Sequence, residues 1–324
     1  MPGESPAEWP EQERLADAYS YLRRALELDF PASLHEIVRL TGGAASLIIS
    51  RLGKADELAD WISETTLTYP GVNLVPARPS PEALLLAQRA RYTAMERGLP
   101  SLVLITQGNS GSVSIGNIFH SGFSLPTVLY SLVNLRVVSP WLEDFMRGGS
   151  CSTTHLNPTP KNLDLLLKGG VRSIIVHVRD PRQLLISGIE HGRKYANQLT
   201  PSDRLAVSGS YDKVVNGVIR EGFPGLVAWI EGWIKAGERL TVNFTTFEEF
   251  VGDRERFLEK ILAYYGGDQK YFQHHAAVTE HAGIDYHRRR GEVDEWRALL
   301  SPQQLKQVNM AIPDHFWEKF GWRP

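Results

Sequence analysis

The amino-terminal part of the chain has apolar residues at the three- and four-residue spacing that is typical of amphipathic helices. Leu15, Tyr19, Leu22 and Leu26 form one continuous stripe of this kind. The same spacing predicts three further helices, at about residues 33–52, 54–64 and 81–97. A proline-rich stretch separates the last two of them. We therefore predict a helical amino-terminal extension over residues 1–95.

The pattern changes after this extension, and short apolar runs alternate with helical spacing over residues 96–324. Three runs bounded by polar residues or glycine predict buried strands: 101–106, 173–178 and 240–244. Helical spacing follows the last two of these strands and precedes the third, from 181 onward and at 224–236 and 252–265. Strands that alternate with helices predict an α/β fold, in which helices flank a parallel β-sheet.

Composition and charge narrow the class of protein. The 324 residues are 42% hydrophobic, enough for one large α/β core with an appended segment. A formal net charge of −2 gives no global attraction to nucleic acid or to an anionic membrane. The single cysteine, Cys151, excludes an internal disulfide, and from the sequence pattern we expect neither a signal sequence nor a transmembrane stretch. We therefore expect a cytoplasmic protein without nucleic-acid partners, whose anion sites arise from local clusters.

The loop after the first predicted strand is rich in small residues. Residues 106–114 join that strand to a helix, and such a turn presents backbone N–H groups and the positive end of the helix dipole to an anion. Gly111 and Gly116 have the spacing of the two glycines of the ATP-binding Walker loop. Asn117 and Ile118, however, stand where that loop has lysine and serine or threonine. The pattern disfavours ATP or GTP hydrolysis of the Walker type.

A second candidate phosphate element follows the strand at 173–178. Arg179 ends that strand, and Pro181 suits the first position of a helix. The guanidinium group offers a fixed fork of donors to a phosphate. Ser187 lies eight residues after the arginine, about two helical turns along, and can add a hydroxyl donor.

These two elements together resemble the sulfotransferases that use 3′-phosphoadenosine-5′-phosphosulfate, a family with a P-loop-like parallel sheet. Ser110, Gly111 and Ser112 are similar to the family's Ser-Gly-Thr loop, and Arg179 and Ser187 match its second element. The resemblance implies that this loop binds the 5′-phosphosulfate. It implies that the arginine and the serine bind the 3′-phosphate, and that adenosine 3′,5′-bisphosphate is the product. The implied loop contacts come from Gly108, Asn109, Ser110, Gly111, Ser112 and Val113.

A third match lies near the carboxyl terminus. Arg288, Arg289, Arg290 and Gly291, followed by Trp296, resemble the family's Arg-Lys-Gly segment, which closes over the 3′-phosphate. A solvated basic turn is the alternative interpretation of this charge run. The resemblance extends over about residues 100–324, and it has no counterpart for the amino-terminal extension.

The resemblance also assigns a base. His155 lies in a segment similar to the family's Lys-Thr-His-Leu-Pro, whose histidine is the general base. Transfer of a sulfuryl group requires the acceptor hydroxyl to lose its proton as it attacks sulfur, and an imidazole is suited to that role. Donors at the loop would stabilise the charge that grows on the leaving oxygen. The scheme requires no metal ion, and we identify no cluster with convincing metal-ligand spacing.

The chain departs from the family pattern at three positions. Asn109 replaces the loop lysine, so that an amide donor takes the catalytic place of a cation. Ser114 stands where the family stacks adenine on a tryptophan, and Thr153 replaces the lysine of the family's Lys-Thr-His sequence. Three basic residues are candidates to supply the missing charge: Lys161, Arg193 and Lys194.

Three functions therefore stay open at this point. The first is a sulfotransferase acting on a hydroxyl of a small metabolite, lipid or glycan. The second is a nucleotide-dependent phosphotransferase, and the third is a non-catalytic nucleotide-binding scaffold. For residues 1–95, the amphipathic stripes predict a cap that shapes the acceptor pocket or forms a dimer contact between two copies of the chain.

Overall fold

The computed structural model describes residues 81–128, 130–132, 136–137, 139–194, 207–274 and 292–324. The helices predicted before residue 65 lie outside these ranges. The helices are α1 (Pro81–Glu96), α2 (Ser112–Phe123), α3 (Ser139–Phe145), α4 (Pro160–Lys168), α5 (Pro181–Lys194), α6 (Tyr211–Glu221), α7 (Phe223–Ala236), α8 (Phe247–Gly252), α9 (Arg254–Tyr265), α10 (Trp296–Leu299), α11 (Pro302–Ala311) and α12 (Asp314–Phe320). The strands are β1 (Leu102–Thr106), β2 (Ser131–Leu132), β3 (Arg136–Val137), β4 (Cys151–Thr154), β5 (Ser173–Val178) and β6 (Thr241–Thr246).

Four strands form one parallel sheet in the order β4-β1-β5-β6. In its register, Ile105 of β1 pairs with Thr154 of β4 and with Val176 of β5. The strands β2 and β3 form a separate antiparallel pair. The predicted α/β fold with a parallel sheet is confirmed, and the sheet aligns the carboxyl ends of all four strands along one edge.

Apolar residues of the central strands alternate between two cores, one on each face of the sheet. Leu102 and Leu104 of β1 lie in a core with residues of α2 and α9. Val103 and Ile105 lie in the other core, with residues of α5 and α7. Because both faces are covered by helices, the strands are continuous apolar runs rather than alternating ones. This explains why β1 and β5 were readable from the sequence.

Three predicted strands and the helices after them are present, whereas β4 was not predicted as a strand. The residues of β4, from Cys151 to Thr154, are short and mostly polar, so they give no apolar run. This strand lies at the edge of the sheet and pairs with β1 alone among the four parallel strands. The consequence for the site is large, because β4 positions the segment that carries His155.

Helix boundaries near the sheet edge follow from local capping. Pro181 begins α5, as predicted for a residue without an N–H group. Thr246 ends β6 and caps α8 in a capping box, in which its hydroxyl accepts from Glu249 and the Glu249 carboxylate accepts from the Thr246 N–H. Within the described ranges, no helix has the length and apolar character needed to cross a membrane.

Candidate functional site

The predicted phosphate elements and His155 meet at the carboxyl edge of the parallel sheet. Thr106 ends β1, His155 follows β4, and Arg179 follows β5. From β1 the chain goes first to the neighbour on one side and then to the neighbour on the other, so β1 marks the switch point of the sheet. In open parallel sheets, ligands bind in the crevice at this point. The fold therefore brings together residues that are separated by about seventy positions or more in sequence.

The loop between β1 and α2 is tightly turned. The hydroxyl of Ser110 donates to the carbonyl of Gln107 at 2.6 Å, and Ser110 is fully buried, so its side chain shapes the turn. Asn109 and Gly111 have left-handed φ angles of 60° and 89°. Glycine adopts such angles without strain, and asparagine tolerates them better than most residues. Gly111 is also the N-cap of α2 and offers no side-chain cap to its first-turn N–H groups.

Those first-turn N–H groups give α2 an anion-binding end. The first four N–H groups of a helix have no intrahelical acceptor, and the helix dipole adds positive potential there. Ser112, Val113 and Ser114 form the first turn, and Val113 and Ser114 are exposed. Gly108 and Asn109 precede the turn, and Asn109 is also exposed. The predicted loop residues thus form one partly exposed cradle, with Ser110 as its buried support.

His177 supports this loop from below. This fully buried residue of β5 lies 2.9 Å, through Nε2, from the carbonyl oxygen of Ser110. Its Nδ1 lies 2.8 Å from the hydroxyl of Thr245 in β6. Burial lowers the pKa of His177 from 6.5 to about 3, so the imidazole is neutral at ordinary pH. No sequence signal indicates this role of His177, because the residue lies within the apolar run of β5.

Arg179 and Ser187 are in contact, as their spacing had suggested. Nη1 of Arg179 lies 3.4 Å from Oγ of Ser187 and donates to the carbonyl of Asn109 at 2.9 Å. The guanidinium group also lies over the ring of Phe247, 3.9 Å from its centroid. Both residues are buried, with Arg179 5% and Ser187 8% exposed. The arginine therefore joins the loop after β1 to the first turns of α5.

The ring of His155 is fixed by Thr106 at the end of β1. Nδ1 of His155 lies 2.8 Å from the carbonyl oxygen of Thr106 and 3.0 Å from its hydroxyl. A carbonyl oxygen can only accept, so Nδ1 carries the hydrogen and, in the neutral ring, Nε2 keeps a lone pair. His155 is half-buried. Its Nε2 atom is thus chemically able to take up a proton.

A buried ion pair beside Arg179 was missed at the level of sequence. Asp180 binds Arg182 through both carboxylate oxygens, at 3.0 and 2.6 Å. Arg182 is fully buried and stacks on Trp296, with its guanidinium carbon 3.8 Å from a ring centroid. It also donates to Asn309 and to the carbonyl of Arg323. Asp180 is a near neighbour in sequence, but Trp296, Asn309 and Arg323 are more than one hundred residues away, so no local pattern could reveal that Arg182 is buried among them.

Glu248 forms a hydrogen bond with the backbone of Asp180. One of its oxygens accepts from the backbone N–H of Asp180 at 3.1 Å, and the other accepts from Nε1 of Trp322 at 3.1 Å. Burial raises the pKa of Glu248, while these hydrogen bonds act in the opposite direction. With Asp180 paired to Arg182 and Glu248 bonded to two N–H groups, both nearby carboxylates are occupied by partners other than a ligand.

The basic segment near the carboxyl terminus is followed by residues that the structure describes from Glu292 onward. Arg288, Arg289, Arg290 and Gly291 lie outside the described residues. The carbonyl of Glu292 accepts from Nη2 of Arg179 at 3.0 Å. Gln183 of α5 binds the carboxylate of Glu295 at 3.1 Å and the N–H of Trp296 at 3.4 Å. The chain after Gly291 is therefore attached to the same first turns of α5 that carry the candidate phosphate residues.

Thr153 and the three basic residues considered as substitutes for the loop lysine lie at different places in the fold. Thr153 points its hydroxyl toward α2, since a Cβ added to Gly116 would lie 2.9 Å from it. Arg193 donates to the carbonyl of Gly209 at 2.9 Å and stacks on Tyr211, at the far end of α5. At about 1.5 Å per residue, that end lies roughly 18 Å along the helix from Pro181. This distance disfavours Arg193 and Lys194 as substitutes for the loop lysine, whereas Lys161 is exposed near the start of α4.

The described part of the chain contains no group of three or more His, Cys, Asp or Glu side chains that could hold a metal ion. Cys151 is buried, and burial raises the pKa of its thiol to about 12. A thiol of this kind is inert as a nucleophile. Among the described residues, this edge of the sheet offers hydrogen-bond donors that can bind an anion, and the partly exposed imidazole of His155.

No protein-family model matches the chain, and no curated protein matches it. The structure is similar to that of mouse sulfotransferase SULT7A1 complexed with PAP, at 15% identity and a TM-score of 0.47, over 72% of this chain and 90% of the other. It is also similar to retinol dehydratase in a complex with retinol and PAP, at 14% identity and a TM-score of 0.44, over 70% and 85% of the two chains.

Proposed function

We propose that this protein is a sulfotransferase that moves a sulfuryl group from 3′-phosphoadenosine-5′-phosphosulfate to a hydroxyl of a small metabolite, lipid or glycan. One observation carries the proposal: Arg179 contacts both Ser187 and the loop at Asn109, at the edge where His155 has Nε2 available. These contacts support the proposal because they join the loop after β1 to the arginine and serine of the second element.

The donor groups suit a nucleotide with phosphates at both ends. The uncapped first turn of α2 offers backbone N–H groups for the 5′ end. Arg179 and Ser187 offer a guanidinium fork and a hydroxyl for the 3′-phosphate. The acceptors of Arg179 include two carbonyls and a hydroxyl, which are neutral groups. A phosphate is a stronger partner for the guanidinium group than a neutral acceptor of this kind.

The attachment of the chain at Glu292 supports a role for the preceding basic segment. The carbonyl of Glu292 accepts from Arg179, and Gly291 directly precedes Glu292 in the sequence. The proposal therefore includes Arg288, Arg289, Arg290 and Gly291 as the segment that closes over the 3′-phosphate.

The proposed chemistry uses His155 as the base. When bound, 3′-phosphoadenosine-5′-phosphosulfate supplies the sulfuryl group and a phosphate as leaving group. Nε2 of His155 takes the proton of the acceptor hydroxyl as its oxygen bonds to sulfur. The Thr106 carbonyl, which accepts from Nδ1, stabilises the imidazolium ion until the proton passes to solvent.

Charge on the leaving oxygen is met by the loop. The N–H groups at Gly111, Ser112 and Val113 and the side-chain amide of Asn109 are the proposed donors. Asn109 supplies a hydrogen bond without a full charge, so we expect a modest rate of transfer.

Thermal-shift titration tests nucleotide choice. Adenosine 3′,5′-bisphosphate should raise the melting temperature, and ATP with Mg²⁺ should not. Arg179→Met should remove most of this shift, because it deletes the guanidinium fork. Arg220→Met is the matched control, since Arg220 is exposed and pairs with Glu221 on α6. Stabilisation by ATP with Mg²⁺ alone would indicate the phosphotransferase instead.

A labelled-donor assay tests transfer itself. The protein is incubated with labelled 3′-phosphoadenosine-5′-phosphosulfate and a panel of hydroxylated acceptors. Label should move to at least one acceptor. Tight binding of the bisphosphate with no transfer and no hydrolysis of the donor would indicate a non-catalytic scaffold.

A further inference from the structure

The side chain of His177 bridges two elements that lie on either side of β5. Its Nε2 lies 2.9 Å from the carbonyl oxygen of Ser110, and its Nδ1 lies 2.8 Å from the hydroxyl of Thr245. Because the carbonyl can only accept, Nε2 carries the hydrogen and Nδ1 accepts from the hydroxyl. Both partners therefore favour one tautomer of a neutral ring, and burial keeps the ring neutral by lowering its pKa to about 3.

This contact fixes the orientation of one peptide group in the loop. A trans peptide is planar, so its C=O and N–H bonds point in opposite directions, and the described residues contain no cis peptide. The carbonyl of Ser110 points inward to His177. The N–H of Gly111 in the same peptide therefore points outward, at the N-cap of α2 where the side-chain cap is missing.

Such control is needed because Gly111 is free to turn. Without a Cβ, glycine adopts φ angles of either sign, so the peptide before it can flip at little cost. A flipped peptide would present a carbonyl oxygen to an anion in place of an N–H group. Other contacts hold different parts of the loop: Gln107 donates to the carbonyl of His177 at 3.1 Å and accepts from the N–H of Arg179 at 3.1 Å. The side chain of His177 is the group that holds the Ser110–Gly111 peptide.

We propose that His177 is a positioning residue for the 5′ end of the nucleotide: by holding the Ser110 carbonyl, it aims the Gly111 N–H at the 5′-phosphate group. This inference rests on the proposed function, and it assigns His177 no contact with the ligand. Loss of the His177 side chain should therefore weaken binding of the 5′-phosphate group and leave binding of the 3′-phosphate group unchanged.

The test compares two nucleotides that differ only at the 5′ end. Adenosine 3′,5′-bisphosphate and adenosine 3′-monophosphate are titrated calorimetrically into the full chain, His177→Leu and His177→Gln. The wild-type protein should prefer the bisphosphate. His177→Leu should reduce that preference about tenfold, the size of one charge-assisted hydrogen bond. His177→Gln should restore most of it, because the glutamine amide can donate to the Ser110 carbonyl.

The ratio of the two affinities separates positioning from a merely structural role. If His177→Leu weakens both nucleotides equally, or leaves the ratio unchanged, the positioning role is overturned. If His177→Leu does not fold, Thr245→Val replaces it, since it removes the donor to Nδ1 and should lower the ratio by a smaller factor; an unchanged ratio overturns the role there as well. A wild-type protein that binds neither nucleotide defeats the proposed function and this inference together. Wild-type preference with an unaltered ratio in the variants defeats the inference alone.

Discussion

The ends of β4 and β5 each carry a histidine, and the two rings are held in opposite tautomers. His155 donates through Nδ1 to the Thr106 carbonyl, so its Nε2 keeps a lone pair. His177 donates through Nε2 to the Ser110 carbonyl and accepts at Nδ1 from Thr245. The first ring is half-buried, and the second is fully buried. One ring can exchange a proton, and the other uses both nitrogens to hold the fold.

The difference shows that the position of a histidine beside the sheet edge does not decide its chemistry. What decides it is which nitrogen faces a carbonyl, because that contact fixes the tautomer. At the end of β4 the carbonyl is at Nδ1, and Nε2 keeps the lone pair that the proposed base role requires. At β5 the carbonyl is at Nε2, and the result is a fixed loop peptide. The following changes test this division, from the largest expected effect to the smallest.

The largest effect is expected at the end of β4. His155→Ala should lower the rate of sulfuryl transfer by about 10²- to 10⁴-fold, the range for loss of a general base. The dissociation constant of adenosine 3′,5′-bisphosphate should change little, because Nε2 acts only on the acceptor proton. The measurement is the rate with the labelled donor at saturating acceptor.

His120→Ala is the matched control for that variant. Nδ1 of His120 also lies close to a carbonyl, that of Leu125, at 2.7 Å, and the residue is exposed at the end of α2. Its loss should leave transfer unchanged. A rate in His155→Ala equal to that of the control would remove His155 from the base role.

At β5 the expected effect is on stability and depends on pH. The pKa of His177 is lowered from 6.5 to about 3 in the folded protein, so below pH 6.5 the unfolded chain binds a proton that the folded chain does not. The contribution of His177 to the free energy of unfolding should be fully present above about pH 6.5. It should fall by about 1.4 kcal/mol per pH unit between pH 6.5 and pH 3. At pH 5 the loss from this residue is about 2 kcal/mol.

Urea unfolding of wild type and His177→Gln from pH 8 to pH 4 measures this contribution. Titration of Glu248 and the other carboxyl groups is common to both proteins, so it cancels in the difference between the two curves. That difference should shrink as the pH falls, because only the wild type carries the histidine. Parallel curves would mean that the imidazole of His177 is protonated in the folded protein.

A smaller effect is expected at Ser187, which belongs to the 3′-phosphate end of the proposed nucleotide site. Ser187→Ala removes one hydroxyl beside Arg179 and should weaken binding of adenosine 3′,5′-bisphosphate about three- to tenfold, as for a hydrogen bond of about 1 kcal/mol. Adenosine 5′-monophosphate, which lacks the 3′-phosphate, serves as the comparison ligand and should bind both proteins alike. Equal weakening of the two ligands would place Ser187 away from the 3′-phosphate.

Sequence patterns predicted the parts of this edge that depend on local signals. The apolar runs of β1 and β5 are buried on both faces. Arg179 directly precedes α5 and Ser187 lies on the second turn of that helix, so the long arginine side chain can reach the serine hydroxyl. The strand β4 escaped prediction because an edge strand of polar residues has no apolar run.

The roles of His177 and Arg182 could not be predicted for a different reason. Their partners are Ser110 and Thr245 in one case, and Asn309 and the carbonyl of Arg323 in the other. These contacts depend on tertiary folding across roughly seventy to one hundred and forty residues. A single sequence carries no local signal for pairings of that kind.

The smallest effect is expected at Asn109, in the loop between β1 and α2. Asn109 has a φ of 60°, which asparagine tolerates and lysine does not, so Asn109→Lys should cost about 1 kcal/mol of stability. Asn109→Gly relieves the backbone and should be close to neutral. Because position 109 is exposed, a lysine charge there is partly screened by solvent and should stabilise the leaving oxygen by about 0.5–1 kcal/mol, or about two- to fivefold in rate. The rates should therefore rank lysine above asparagine and asparagine above glycine, in the reverse of the order expected if stability alone set the rate. Identical transfer rates in the three proteins would mean that residue 109 does not face the leaving oxygen, and the charge there would have to be met by the backbone of α2 alone.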